Sequence, residues 1–403
     1  MAFHDKNNMP STSINANPWL AHAALALGGF AIGTTEFATM SFLPAFTAEL
    51  GVNAPAGGHV VSAYALGVVI GAPALAVMGA RLERRLLLVL LLLWFAAGNI
   101  LSATAQSLQA LVIMRFLTAI PHGAYFGTAV LSAAGMVAEQ RRGNAVGRVL
   151  MGLALATVVG VPLANLLSQW LGWRAGFVAI GFLALLVVGL LLRVLPTQAP
   201  PAGASALREF GALRRAQVWL SLGIGAVGFG GLFAVYTYLA STLHAVTGAT
   251  DGAIPVVLAV FGAGMACGNF VAPHLARYGV MRAAGMLLMW STLALAIYPL
   301  TVSHVWSIAL AVFAIGCGGG LGALLQMRLM DVAGDAQNLA ASLNHAAFNV
   351  ANALGPWLGG LALTAGFGWA STGWVGGALA LAGMAVWFVA LSVSGGSGRQ
   401  HES

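Results

Sequence analysis

Residues 19–48, WLAHAALALGGFAIGTTEFATMSFLPAFTA, contain a single charged side chain, that of Glu36. An apolar run of about 18 residues or more can cross the hydrocarbon core of a bilayer as a helix. A carboxylate inside such a span is costly, and it marks an ion or substrate pathway or a permanent pair. Glu36 is the only acidic residue that we place inside a span. We therefore expect the rest of the chain to be organised around it.

The composition of the whole chain is that of a polytopic helical membrane protein. Of 403 residues, 60% are hydrophobic and 7% are charged, and the mean hydropathy is +0.90. These charges are too few to cover the surface of a soluble domain. We expect the first apolar helix to be retained rather than removed as a signal peptide, because no cleavage site follows a short apolar core.

The basic residues predict the orientation. The isoelectric point is about 10.1, but the arginines lie in short loops between spans, which excludes a nucleic-acid-binding patch. A cytoplasmic N-terminus puts 15 of the 17 basic residues inside, with Arg174 at the outer end of the sixth span and Arg115 within the fourth. We expect both termini in the cytoplasm.

Twelve spans are predicted, six in each half of the chain. They are residues 19–44, 57–79, 86–104, 108–130, 145–169, 174–195, 217–243, 253–275, 283–302, 304–327, 338–365 and 370–393. The predicted parts are an N-terminal tail (1–18), an N-terminal six-helix bundle (19–195), a linker with a short surface helix near 207–213 (196–216), a C-terminal bundle (217–394) and a tail (395–403).

The two halves carry similar sequences at equivalent places. Residues 171–174, Leu-Gly-Trp-Arg, open the sixth span, and residues 366–369, Gly-Phe-Gly-Trp, open the twelfth. Pro162 in the fifth span corresponds to Pro356 in the eleventh. Such a parallel repeat is typical of transporters whose substrate site lies between two halves.

Arg115 is the natural partner for Glu36, since both residues lie at a similar depth. Burial opposes ionisation of the carboxyl group, whereas a nearby guanidinium favours it. A group balanced in this way can bind or release a proton when its exposure changes. A permanent structural bridge between Glu36 and Arg115 is the alternative.

Further polar side chains are candidates for lining a substrate cavity. Those of the fourth span follow Arg115 at helical spacing and those of the eleventh span form a second stripe, which in a membrane faces a cavity or another helix. The candidates are Thr118, His122, Tyr125, Tyr236, Asn269, Gln326, His345, Asn349 and Asn352. His122 and His345 could equally bond between helices, and Tyr236 belongs to an aromatic stripe typical of packing.

Several of these motifs together resemble one family of bacterial exporters. They are Gly33-Thr34-Thr35-Glu36-Phe37 with Leu43-Pro44, residues 62–67 (Ser-Ala-Tyr-Ala-Leu-Gly), Arg115 with Pro121-His122-Gly123, Gly172-Trp173-Arg174, and residues 344–349 (Asn-His-Ala-Ala-Phe-Asn). The chain resembles the major facilitator superfamily over nearly its whole length, and its drug:proton antiporter branch in particular, with arabinose-efflux-like and chloramphenicol-resistance-like proteins.

The resemblance implies a location in the inner membrane of a bacterium. It also implies roles for individual residues. It implies that Arg115 and Glu36 act together in proton transfer. It also implies that Arg81, Arg84 and Arg85 belong to a loop that gates the cytoplasmic side. Ala80 replaces the usual Asp of that loop and Glu83 replaces the usual Gly. The antiporter motif of the fifth helix is partial, with Gly152, Gly160 and Pro162, while its Gly-Pro-x-x-Gly-Gly form occurs at residues 355–360.

The function predicted from these features is proton-coupled export of a small organic molecule by alternating access. The alternative is a sugar or nucleoside exporter, a facilitator, or a proton symporter. The sequence lacks a His-Glu-x-x-His motif, a Gly-x-Ser-x-Gly motif and a pair of intramembrane aspartates, which argues against an enzyme. No re-entrant filter segment indicates a channel. We expect a monomer in the bilayer that uses protons and a small-molecule substrate, without cofactor, metal or nucleic acid.

Overall fold

The computed structural model describes residues 18–79, 81–198, 215–333 and 337–398, and within these ranges the regular structure is helical, with no strand. The long helices are α1 (Pro18–Ser41), α2 (Ala54–Gly79), α3 (Arg84–Ser102), α4 (Leu108–Gly135), α5 (Arg142–Leu171), α6 (Trp173–Val194), α7 (Ala216–Ala245), α8 (Ala253–Ala276), α9 (Val280–Leu300), α10 (Val305–Ala333), α11 (Gln337–Thr364) and α12 (Ser371–Gly398).

These helices fit the predicted membrane class. In the described part of the chain, eleven of them are long and apolar enough to cross a bilayer. The remaining one, α11, has 28 residues, which exceeds the length that a helix needs to span. The expected all-α polytopic fold is confirmed. Residues 1–17 and 399–403, the surface helix expected near 207–213 and Ala80 lie outside the described residues. Helix α12 extends to Gly398, into the expected C-terminal tail.

The two ends of the helix bundle differ in charge. We call the end at which α2 meets α3 the basic end, because Arg81, Arg84 and Arg85 lie there. We call the other end, at which α1 finishes, the opposite end. The N-terminal half comprises α1–α6 and the C-terminal half comprises α7–α12.

Glycines let α2 approach α4, and the same contact recurs between α8 and α10. A Cβ atom added at Gly71 would lie 2.2 Å from the carbonyl oxygen of Ile120, and one added at Gly268 would lie 2.1 Å from that of Cys317. Both residues of the second contact come 197 positions after their counterparts. Since only glycine fits at such a crossing, the two halves use the same packing device.

A tryptophan contact recurs in the two halves as well. Pro121 has no backbone N–H, so it cannot bond the carbonyl oxygen of Leu117 one turn earlier in α4. The indole N–H of Trp94 in α3 donates to that oxygen at 2.9 Å. In the C-terminal half, Trp290 of α9 donates to the carbonyl oxygen of Ala314 in α10 at 2.7 Å. The internal repeat therefore extends to the tryptophan hydrogen bonds that satisfy carbonyl oxygens where a helix is interrupted.

The two halves meet along α2 and α11 and along α5 and α8. The Ser62 hydroxyl of α2 donates to the carbonyl oxygen of Ala353 in α11 at 3.0 Å. The Gln169 amide, at the end of α5, donates to the carbonyl oxygen of Asp251, which precedes α8, at 2.9 Å. Both contacts lie nearer to the opposite end, so the two halves close the molecule at that end.

Helix α5 is adapted for close packing on two sides. A Cβ atom at Gly152 would lie 1.9 Å from the carbonyl oxygen of Ala26, so α1 and α5 touch through their backbones. A π-helical turn follows at Ala156–Gly160. Within it, the carbonyl oxygen of Thr157 would lie 2.4 Å from a Cβ atom at Gly262 of α8. π-Turns inside α-helices often occur at functional sites, and this one lies where the halves meet.

Candidate proton-coupling site

Glu36 lies at the junction of the two halves. Its side chain is 8% exposed, and its Oε1 accepts a hydrogen bond from Nδ2 of Asn352 in α11 at 3.0 Å. Its Oε2 lies 4.0 Å from Nε2 of His122 in α4. The carboxylate of the N-terminal half is thus held by an amide of the C-terminal half. A change in its charge acts directly on the contact between the halves.

The expected ion pair between Glu36 and Arg115 is not among the contacts of the described residues. Arg115 is fully buried, and its guanidinium donates to Thr35 Oγ1 at 3.2 Å, to the Thr35 carbonyl oxygen at 3.3 Å and to Asn99 Oδ1 at 3.3 Å. Consecutive side chains of a helix diverge by about 100°. The guanidinium therefore binds groups on the Thr35 side of α1, and a role of Arg115 in proton coupling stays a prediction.

Tyr64 connects the arginine to the histidine, and sequence reasoning did not select it. The guanidinium of Arg115 lies over the Tyr64 ring, 4.3 Å from its centroid. The Tyr64 hydroxyl lies 3.1 Å from Nδ1 of His122. When that hydroxyl donates, the proton of the neutral imidazole resides on Nε2 and faces Glu36. The only sequence signal was the position of Tyr64 in the motif of the second helix.

The polar stripe predicted in α4 does not form one face. Thr118 packs on Gly98 of α3, and its hydroxyl donates to the carbonyl oxygen of Met114 at 2.6 Å. The Tyr125 hydroxyl donates to the carbonyl oxygen of Leu25 in α1 at 2.7 Å. The interruption at Pro121 divides the helix, and the contacts of these side chains lie within the N-terminal half. Only His122 of this stripe approaches Glu36.

The stripe predicted in α11 is partly at the junction. Asn352 contacts Glu36 directly, and the His345 ring stacks on that of Phe126 in α4, with centroids 5.6 Å apart. Asn349 lies one turn from Asn352 and donates to the carbonyl oxygen of His345 at 3.0 Å. The eleventh helix therefore brings two of the predicted polar residues, Asn352 and His345, into contact with the N-terminal half.

The remaining predicted residues have different surroundings. Tyr236 of α7 packs between Phe37 and Phe261, with ring centroids 5.8 Å and 4.1 Å away. Gln326 of α10 accepts a hydrogen bond from Asn344 at 2.8 Å. Asn269 is exposed on α8, next to the exposed Phe270. The structure therefore brings Tyr236 to the neighbourhood of Glu36 through Phe37, and it gives Gln326 a partner inside the C-terminal half.

Several buried polar atoms near Glu36 lack a hydrogen-bond partner in the described part of the chain. They are Tyr236 Oη, Asn349 Oδ1 and Asn352 Oδ1. Leaving a buried acceptor or donor unpaired costs about 1–3 kcal/mol. Atoms of this kind at a junction are suited to binding water, a proton-bearing group or a polar substrate.

The loop at the basic end has a carboxylate in a different place from the usual motif. Glu83 accepts hydrogen bonds from the backbone N–H groups of Arg85 at 3.0 Å and Leu86 at 3.2 Å, and so caps the first turn of α3. It also accepts one from the N–H of Gln198, after α6, at 3.0 Å. A negative charge at a helix N-terminus is stabilising. Glu83 therefore supplies a helix-terminal charge although Asp is missing at position 80.

The three arginines of this loop lie on or near the N-terminal half. Arg84 donates to the carbonyl oxygen of Leu131 in α4 at 3.1 Å, and Arg85 donates to that of Leu192 in α6 at 2.5 Å. Arg81 is exposed. These contacts tie the loop to helix ends of its own bundle.

Two halves with the same packing contacts, and a buried carboxylate shared between them, define a membrane transporter with an internal repeat. The chain matches the Major Facilitator Superfamily over residues 25–338, and it belongs to that family. It is 37% identical to the inner membrane transport protein YdhP of Escherichia coli strain K12, over 86% of this chain and 89% of YdhP.

Two other relatives are proteins of the same general kind. The chain is 34% identical to the chloramphenicol resistance protein of Streptomyces lividans, over 82% of this chain and 86% of that protein. It is 30% identical to the putative transporter AraJ of Escherichia coli strain K12, over 85% of this chain and 88% of AraJ. The protein is a multi-pass membrane transporter with drug-efflux-like relatives.

Proposed function

We propose that this protein exports a small organic molecule in exchange for protons, with Glu36 as the group that carries the proton. The observation that carries this proposal is the position of a buried carboxylate between the two halves, bound by Asn352 from the other half. A buried charge is costly, so the carboxyl group gains a proton when closed in and loses it when hydrated. Alternating exposure of Glu36 then couples proton movement to the motion of the halves.

The other parts of the site have roles in this mechanism. His122 holds a neutral nitrogen toward the carboxyl group and is suited to passing the proton on. Arg115 stabilises the fold around α1 and contributes positive potential near Glu36 without pairing with it. The aromatic group of Phe37, Tyr236 and Phe261 offers apolar and ring surface to an organic substrate. A ligand shifts the equilibrium between the two states only by its differential affinity for them.

The direction of transport depends on the orientation. By the positive-inside rule, the basic end lies on the cytoplasmic side of the inner membrane. We infer from the contacts at the opposite end that this state takes substrate from the cytoplasmic side, as an exporter requires. The proton gradient is the energy source, and the transporter acts as a monomer without cofactor. The name of the resistance protein to which the chain is similar makes phenicols the first substrates to test.

The test uses inside-out membrane vesicles that contain the protein and carry an imposed proton gradient reported by a pH-sensitive dye. Phenicols, sugars, nucleosides and lipophilic cations are added one at a time. We expect substrate-dependent proton release in wild type and none with Glu36→Gln. The control is Glu49→Gln, which removes an exposed carboxylate at the opposite end and should leave the release intact. Equal substrate movement in wild type and Glu36→Gln, without proton flux, would make the protein a facilitator.

A further inference from the structure

One atom of the Glu36 contact has no partner. Asn352 has no exposed surface, and its Nδ2 donates to Glu36 Oε1 at 3.0 Å. Its Oδ1 is buried and accepts no hydrogen bond in the described part of the chain. An amide that is satisfied on one side only is a site that still lacks a donor.

We propose that Asn352 detects the proton on Glu36 and holds the opposite end closed when that proton is present. This inference rests on the proposed function of Glu36, because it concerns the same carboxyl group. An ionised carboxylate has only acceptors, so it binds Nδ2 and leaves Oδ1 unpaired. A protonated carboxyl group has an O–H that can donate to Oδ1 while its other oxygen still accepts from Nδ2. The result is a two-bond pair without a buried charge.

The other titratable and charged groups that face this region have contacts of their own, although the Tyr236 hydroxyl has no hydrogen-bond partner in the described part of the chain. His122 and Arg115 come from α4, Tyr64 from α2, Tyr236 from α7 and His345 from α11. His122 binds the Tyr64 hydroxyl, Arg115 donates to Thr35 and Asn99, Tyr236 packs on Phe37 and Phe261, and His345 stacks on Phe126. Among the described residues, Asn352 alone donates a hydrogen bond to Glu36.

The position of Asn352 connects the Glu36–Asn352 pair to the closure of the opposite end. The next residue of α11, Ala353, accepts the hydrogen bond from Ser62 of α2 that joins the two halves. A second contact of this junction, between Phe37 and Phe233 of α7, has ring centroids 6.1 Å apart. Ionisation of Glu36 removes the O–H that donates to Asn352 Oδ1, so one bond instead of two joins α1 and α11. It also favours hydration of the carboxylate, and the halves then separate at the opposite end. Protonation from the compartment at that end closes it again.

The pH dependence of closure tests the proposal directly. Gln106→Cys and Thr250→Cys put spin labels on exposed loops of the two halves at the opposite end, in a background with Cys267→Ser and Cys317→Ala. Pulsed electron resonance in lipid nanodiscs measures the distance between the labels from pH 4.5 to pH 9. Wild type should show the short distance in acid and gain a longer one as the pH rises. Glu36→Gln, which cannot ionise, should show the short distance throughout.

Two variants at Asn352 separate its role from general packing. Asn352→Leu should lower the closed-to-open ratio in acid at least tenfold. The control Asn344→Leu removes an amide of the same helix that binds Gln326 within the C-terminal half, and it should titrate like wild type. The double variant Glu36→Gln with Asn352→Asp exchanges the acid and the amide at unchanged side-chain lengths. It should regain the pH response that Glu36→Gln alone has lost, which also shows that the site still folds.

A wild-type titration curve in Asn352→Leu, or a double variant as insensitive to pH as Glu36→Gln, would overturn the proposal. These outcomes are distinct from failure of the proposed function. If Glu36→Gln keeps substrate-dependent proton release in vesicles, the antiport mechanism itself is wrong. If that release requires Glu36 but Asn352→Leu leaves the distance titration unchanged, only the role of Asn352 is wrong.

Discussion

Replacement of Thr35 by valine tests how Arg115 is held. The Thr35 hydroxyl accepts a hydrogen bond from Arg115 at 3.2 Å and donates one to Asn99 at 2.5 Å. Valine keeps the branched shape and removes both bonds. A hydrogen bond to a charged group contributes about 1.5–3 kcal/mol, but bonds between membrane helices average about 0.6 kcal/mol in double-mutant cycles. We therefore expect Thr35→Val to lower the free energy of unfolding by about 1–3 kcal/mol.

A double-mutant cycle with Arg115→Lys makes the test specific. Lysine keeps the positive charge but lacks the planar fork that reaches two oxygens of Thr35 and one of Asn99. We expect Arg115→Lys to cost about 2–4 kcal/mol, because at least one charge-assisted bond and the contact with the Tyr64 ring are lost. The two changes should be coupled by about 1–2 kcal/mol, since they share one hydrogen bond.

The assay is reversible unfolding of the purified protein in mixed micelles, followed by tryptophan fluorescence. Glu36→Gln combined with Thr35→Val is the control, and we expect it to be additive because Glu36 does not contact Thr35 through its side chain. Additivity of Thr35→Val and Arg115→Lys within about 0.5 kcal/mol would refute the assigned contact. Strong coupling of Arg115→Lys to Glu36→Gln, and not to Thr35→Val, would instead support the ion pair between Arg115 and Glu36 that the sequence predicts.

Two further predictions concern carboxylates at the two ends of the bundle. Glu83→Ala removes the cap of α3 and should lower the free energy of unfolding by about 0.5–2 kcal/mol. Glu83→Asp has a shorter side chain that can still cap, so it should lose less stability. Equal losses of stability in thermal unfolding would contradict the capping role. The hydrogen bond from Arg174 lowers the pKa of Glu49, so the stabilisation is present above the ordinary carboxyl pKa of about 4.3 and is lost as the pH falls through the lowered value. Because both side chains are partly exposed, Glu49→Gln should cost at most about 1 kcal/mol at pH 7, and a difference from wild type that does not shrink in acid would exclude this contribution.

The sequence predicted the level of each residue in the membrane better than its direction around a helix. The span of Glu36 was recognisable because one charge interrupts a long apolar run, and the depth of Arg115 followed from its distance to the start of α4. Neighbours around the helix axis could not be derived in the same way. A rotation of about 100° separates Thr35 from Glu36, and Arg115 lies on the side of Thr35.

The break in α4 illustrates the same limit. The sequence shows Pro121, but the helical spacing of Thr118, His122 and Tyr125 predicts one continuous face. In the structure, Thr118 contacts α3, His122 approaches Glu36 and Tyr125 contacts α1. The helix is interrupted between Thr118 and His122. The sequence does not indicate a role for Tyr64, because a tyrosine in an apolar span carries no signal of its own. Only the structure shows its hydroxyl beside His122.

The sequence by itself determined the membrane class, the helical spans and the internal repeat, because length, hydropathy and recurring short motifs are local properties that bilayer thickness and helix geometry translate into structure. Only the tertiary structure decided which partner holds Glu36. Asn352 is 316 residues away along the chain, and the contact depends on how two separately formed bundles meet. No local pattern encodes that meeting, because it results from the summed packing of α2 on α11 and of α5 on α8.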